Sequence, residues 1–235
     1  MELRLKGIKK SFDDKEVLKG VDFTFEQGKI YALLGRNGAG KTTLFNIMAE
    51  ELKKEEGEVF LEKEGKIKKL ESTDISYVYS DPILPEFLTG YEFIKFFMDI
   101  NKEKIDESIR IEEYFETIKF DEIDRHKLIK TYSHGMKNKL QMLMFIIARP
   151  DIILLDEPLT SLDVVVALEI KRLLREIRSR HIIIFSTHIL QLAKDLCDEI
   201  VVLHRGKLEL VDKQLLGDQD FEDRIMDILK DEDNV

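Results

Sequence analysis

The sequence predicts an α/β fold: a mainly parallel β-sheet wrapped by helices, with an N-terminal antiparallel β subdomain and an inserted α-helical subdomain. Three observations predict it. Residues 29–34, 152–155, 182–185 and 200–203 are short, continuous apolar runs, the pattern of strands covered on both faces. The last three alternate with helical stretches at 164–177 and 189–196, the order that builds parallel strands through crossover helices. Between the strands at 75–78 and 152–155 lie three stretches of helical spacing, so a block of helices interrupts the α/β chain.

In chain order, Leu3, Leu5 and Ile8, then Val17, Val21, Phe23 and Phe25, alternate roughly with polar neighbours and predict antiparallel strands. Phe12 lies between them beside Asp13 and Asp14; such an aromatic packs in a core by default but can also stack on a base. A helix is expected over 43–52 and further strands over 58–61 and 75–78, joined by a lysine-rich solvated hairpin at 63–69. Thr89-Gly90-Tyr91-Glu92 has capping-box spacing. Phe93, Phe96, Phe97 and Ile100 follow at helical spacing and are expected to pack as core, as are Ile111, Tyr114, Phe115 and Ile118. A long helix over 135–148 ends before Pro150. The expected division is one domain over 1–235: a core of 1–80 and 150–216, a helical subdomain of 81–149, and an acidic tail of 217–235 with a weak helical pattern at Phe221, Ile225 and Ile228.

Charge narrows the partners. A net charge of −10 argues against generic affinity for nucleic acid or an anionic membrane surface. No apolar run approaches the roughly 18 residues a membrane span requires, and the opening residues do not begin a signal peptide, so an intracellular chain is expected. The single cysteine, Cys197, excludes an internal disulfide and reads as a packed thiol.

The chemistry centres on Gly35-Arg36-Asn37-Gly38-Ala39-Gly40-Lys41-Thr42, which fits the phosphate-loop pattern G-x-x-x-x-G-K-[ST], with a strand before it and a helix, including Thr43, behind. Glycines let consecutive N–H groups and a helix N-terminus converge on one anion, Lys41 reaches the β- and γ-phosphates, and the Thr42 hydroxyl completes a Mg²⁺ shell. Asp156 ends an apolar run and Glu157 follows it, at the carboxyl edge where α/β sheets present ligand-binding groups. Asp156 is expected to hold Mg²⁺ through water and Glu157 to polarise an attacking water as general base. His188 follows another apolar run and is expected on the same edge, able to donate to a γ-phosphate. Ser133 and Gly135 precede a helix and by themselves read as an ordinary cap.

Taken together, these motifs resemble the nucleotide-binding subunit of ATP-binding cassette (ABC) transporters over nearly the whole chain. The resemblance implies a phosphate-loop NTPase fold binding ATP and Mg²⁺: Phe12 stacking on the base, residues 35–42 as Walker A, Ser133-His134-Gly135-Met136 after Tyr132 as the signature, and Asp156 as Walker B. Glu157 becomes the catalytic carboxylate, Ser161-Leu162-Asp163 the D-loop, and His188 the switch histidine. It also implies a homodimer, or a heterodimer with a second ABC subunit, that sandwiches two ATP molecules with Ser133 and Gly135 acting in trans. The implied location is cytoplasmic, peripheral on the inner face of the cell membrane through an integral membrane permease.

The chain departs from the family pattern in several places. Tyr132, His134 and Met136 replace the common Leu-Ser-Gly-Gly-Gln residues, a form that looks like ABC-2-type exporters of drugs, antibiotics or bacteriocins. Ser161 and Val164 replace residues usual around the D-loop, and Ser80 stands where the family places a Mg²⁺-touching glutamine. A water-mediated contact from Ser80, or a contribution from Asp81, is the expected replacement. Two alternatives stay open: a soluble ABC ATPase acting on ribosomes or DNA, and an ATP-gated regulatory module with little hydrolysis.

Overall fold

The computed structural model describes residues 1–105, 109–158, 164–211 and Ile225. Two sheets organise them. Strands β1 (Glu2–Phe12), β2 (Lys15–Glu26), β4 (Glu56–Lys63) and β5 (Lys66–Lys69) form an antiparallel sheet in the order β2-β1-β4-β5. The lysine-rich connection is the β4–β5 hairpin, and β5 is exposed along its length, so its charged edge discourages pairing with another chain.

The larger sheet has the order β10-β9-β3-β8-β7-β6, from β3 (Ile30–Leu34), β6 (Ile75–Val78), β7 (Ile152–Asp156), β8 (Ile182–Thr187), β9 (Glu199–His204) and β10 (Lys207–Val211). All neighbours are parallel except β9 and β10. Every residue of β3, β7 and β8 is buried, as the continuous apolar runs require. Successive side chains divide between the faces: Ile30, Ala32 and Leu34 join one core, Tyr31 and Leu33 the other. The first core is shared with the helical block and the second with the antiparallel sheet and α1 (Lys41–Met48).

The helical block contains α2 (Gly90–Ile100), α3 (Ile111–Thr117), α4 (Glu122–Arg125) and α5 (His134–Ala148); α6 (Val164–Ile177) and α7 (Leu190–Leu196) complete the set. Thr89 caps α2 as the spacing predicts: its hydroxyl accepts from the Glu92 N–H, and the Glu92 carboxylate accepts from the Thr89 N–H at 2.9 Å. Cys197 is buried, and Ile225, the one described residue of the acidic tail, packs in the first core.

Two expectations need correction. The first helix stops at Met48, because Ala49 caps it and Glu50 turns left-handed at φ 60°. The aromatic stripe of α2 is not uniformly core: Phe93 and Ile94 are buried and Phe97 is half-buried, whereas Phe96 and Ile100 are 57% and 62% exposed. Helical spacing finds the stripe, but the packed face is rotated from it toward Ile94.

Gly90 shows how tightly the block is locked. A Cβ there would lie 2.2 Å from the Tyr132 hydroxyl, which donates to the Asp124 carbonyl at 2.6 Å; burial raises the Tyr132 phenol to about 12. Gly90→Ala is therefore expected to destabilise the protein by about 2 kcal/mol through overpacking. Tyr132→Phe removes the oxygen that the new methyl strikes, so thermal unfolding of the double variant should show less than the summed loss.

Candidate functional site

The site is built where the parallel strands end. The chain leaves β3 at Leu34, turns through residues 35–40, and enters α1 at Lys41. Gly38 and Gly40 lie in the left-handed region at φ 82° and 105°. A Cβ on Gly40 would also lie 2.7 Å from Val17 Cγ1, so the position demands glycine on conformational and steric grounds. The loop therefore delivers its N–H groups to the N-terminus of α1, an anion-binding geometry.

Lys41 is buried, and its Nζ donates to the carbonyls of Gly35 at 2.8 Å and Arg36 at 3.0 Å. Burial pulls the Lys41 pKa down, while the Glu157 and Asp156 charges oppose that shift. The next residue, Thr42, donates from Oγ1 to Asp156 Oδ2 at 2.8 Å. The phosphate loop and the Asp156 carboxylate thus meet through a single hydroxyl.

Asp156 is buried at the end of β7 and gathers more than the sequence foretold. Tyr77 Oη, from β6, donates to Asp156 Oδ2 at 3.4 Å, and Ser186 Oγ, from β8, donates to Oδ1. Burial first and the Asp156 charge second hold the Tyr77 phenol well above its ordinary range, so it stays a donor. The sequence patterns assign no role to either residue. The available signal was a polar group ending an otherwise apolar strand, as at Ser186, or facing inward from one, as at Tyr77.

Glu157 lies just past the strand at φ 47°, a left-handed conformation that costs a non-glycine residue about 1–3 kcal/mol. The turn brings its Oε1 to 2.9 Å from His188 Nδ1, at the mouth of β8. The two residues predicted to share an edge are in contact.

A cavity of about 300 Å³ lies over this edge, lined by Asn37, Gly38, Gly40, Lys41, Thr42 and Thr43, with Phe12, Ser80, Asp156 and Glu157. Phe12 is 45% exposed, with Lys10 Nζ 5.1 Å from its ring centroid, so it is a rim residue and not core. Ser80 reaches the cavity, whereas Asp81 is exposed and does not line it.

Ser133, His134, Gly135 and Met136 are elsewhere. Ser133 caps α5, accepting from the Met136 N–H at 3.2 Å, and the four residues line a separate cavity of about 500 Å³. The cavity over the phosphate loop and the one at Ser133–Met136 share no lining residue. Asp163 and the rest of the D-loop fall outside the described residues.

The donors around Thr42 and Asp156 are oxygens, which suits Mg²⁺. Among the described residues no group of three or more His, Cys, Asp or Glu could hold a metal by itself, so a cation here would need phosphate oxygens and water.

The sequence model of the family described as ABC transporter matches residues 18–160, more than half of the chain. The chain belongs to the ABC transporter family. It is an ATP-binding subunit and an ATPase of that family. Among ABC transporter ATP-binding proteins, YdbJ of Bacillus subtilis is 30% identical over 232 residues, covering 96% of this chain and 74% of that protein. MJ1023 of Methanocaldococcus jannaschii is 33% identical over 210 residues, covering 88% and 75%. The ATP-binding subunit of an ABC transporter superposes with a TM-score of 0.77 at 23% identity, covering 92% of this chain and 93% of that one. A second structure, the MJ0796 cassette described as a dimer bound to ADP and Pi, gives 0.73 at 23% identity, covering 88% and 96%. These two structures share the fold of this ABC subunit.

Proposed function

We propose that this ABC subunit binds MgATP in the cavity over the phosphate loop and hydrolyses it between two subunits to drive export through a separate membrane permease. The observation that carries the reading is the convergence of Lys41, Thr42, Asp156, Glu157 and His188 on one sheet edge. Loop N–H groups and Lys41 cradle the phosphates, and Phe12 at the rim stacks on the base. Thr42 and Asp156 would hold a Mg²⁺ ion, which would supply charge neutralisation for phosphoryl transfer. Glu157 accepts a proton from the attacking water, and His188, whose Nδ1–H donates to it, orients the carboxylate.

Separation of Ser133–Met136 from this cavity supports a dimer in which the signature of one subunit caps the ATP of the other through the N-terminus of α5. Residues 81–149 act as a helical subdomain that meets the permease, with 1–80 and 150–216 as the core. The subunit is placed on the cytoplasmic membrane face by that partner. Among the described residues no helix is long and apolar enough to cross a membrane. The Tyr132-Ser133-His134-Gly135-Met136 signature favours the ABC-2-type export group.

Ser80, which lines the cavity, stands in for the family's glutamine through water. Ser80→Ala should lower turnover severalfold and Asp81→Ala should leave it unchanged; the reverse order would reassign the position. The transport reading is tested by affinity purification of the full chain from detergent-solubilised cells. Stoichiometric recovery of an integral membrane protein supports it, whereas recovery of ribosomes or DNA alone favours the soluble clamp.

A further inference from the structure

We infer that Ser186 is a positioning residue for hydrolysis: its single hydroxyl fixes the Asp156 carboxylate and the main-chain turn that aims Glu157. The inference rests on the site assignment above. Ser186 is fully buried, near the end of a strand whose preceding residues are Ile182, Ile183, Ile184 and Phe185. A hydroxyl in such a place costs stability unless it is bonded, and this one is bonded twice. It donates its only proton to Asp156 Oδ1 and accepts from the Glu157 N–H at 3.0 Å.

The two bonds have different consequences. Asp156 and Ser186 are register partners, the last pair between β7 and β8, so the hydroxyl meets the carboxylate across adjacent strands. With Oδ1 occupied by Ser186, Oδ2 is left to Thr42 and Tyr77, and the carboxylate cannot rotate without losing a partner. The Glu157 N–H lies one residue beyond that pair and finds the Ser186 hydroxyl as its acceptor. That bond offsets the left-handed backbone at φ 47°, from which Glu157 reaches His188. One hydroxyl therefore ties the metal-side carboxylate to the direction of the base.

Ser186→Thr and Ser186→Val test this as a pair, because they have nearly the same shape and differ in the hydroxyl. In the full-length chain, Ser186→Val should lower kcat by about 10- to 100-fold, the scale of a misplaced catalytic group. Ser186→Thr should stay within severalfold of wild type. Fluorescent ATP-analogue binding supplies a readout independent of turnover: both variants bind alike in EDTA, and Ser186→Val loses most of the tightening that Mg²⁺ gives to wild type and Ser186→Thr. Equal kcat and equal Mg²⁺ response in the two variants would overturn the inference, as would a Val effect confined to KM. Should the added methyl prevent folding, Ser186→Ala carries the same expectation, and wild-type kcat in it would be decisive against the role. Glu157→Gln run alongside separates the failures: an active Glu157→Gln overturns the site assignment and this inference together, whereas an inactive Glu157→Gln with active Ser186→Val overturns this inference alone.

Discussion

Glu157→Gln should reduce ATP turnover by at least about a hundredfold, the contribution of a positioned general base, while ATP binding persists. Glutamine keeps the size and the capacity to bond His188, whose Nδ1 lies 2.9 Å from Glu157 Oε1. It leaves the left-handed backbone and its bond to Ser186 in place. The substitution removes only the ability to take a proton, so the loss belongs in kcat and not in the affinity for nucleotide. Phosphate release and retention of labelled ATP on the same sample measure both. Because hydrolysis is what reopens the proposed dimer, the variant should also accumulate as an ATP-bound dimer on size-exclusion chromatography. Turnover near wild type would remove Glu157 from the role of base.

Lys41→Ala should weaken ATP binding by about a hundredfold, the loss expected when a charge-assisted contact worth about 3 kcal/mol disappears. The contrast with stability makes the prediction specific. Lys41 is buried against two carbonyls, and desolvation depresses its pKa, so its charge is held there at a cost that Asp156 and Glu157 only partly offset. Removing it relieves that cost, and thermal unfolding without nucleotide should occur at or above the wild-type temperature. A variant that melted early and still bound ATP normally would make Lys41 a structural residue of the loop.

The parts legible in the sequence are those that physics writes locally. Continuous apolar runs announced the buried parallel strands because covering both faces leaves no place for polar alternation. The phosphate loop was legible because left-handed turns at Gly38 and Gly40 restrict the residue type. Asp156, Glu157 and His188 could be placed because strands that run parallel end on one edge. What escaped notice depends on what lies opposite. Strand β10 is short and carries Lys207 and Glu209; it exists because the Arg205-Gly206 turn, both at positive φ, folds it onto β9. Phe96 and Ile100 share the period of Phe93 but face away from the packed side of α2, a direction that period alone does not encode. Ser186 and Tyr77 matter through neighbours on adjacent strands, and only the register β6-β7-β8 reveals those neighbours.

In the proposed dimer, each site of ATP hydrolysis is completed by a second subunit. The most direct test is steady-state ATP hydrolysis by the purified chain across a range of protein concentrations, with Glu157→Gln as control. Turnover should rise more steeply than linearly with concentration and vanish in the variant. Turnover strictly proportional to concentration down to the most dilute sample, at full specific activity, would contradict it, because each chain would then be completing its own site.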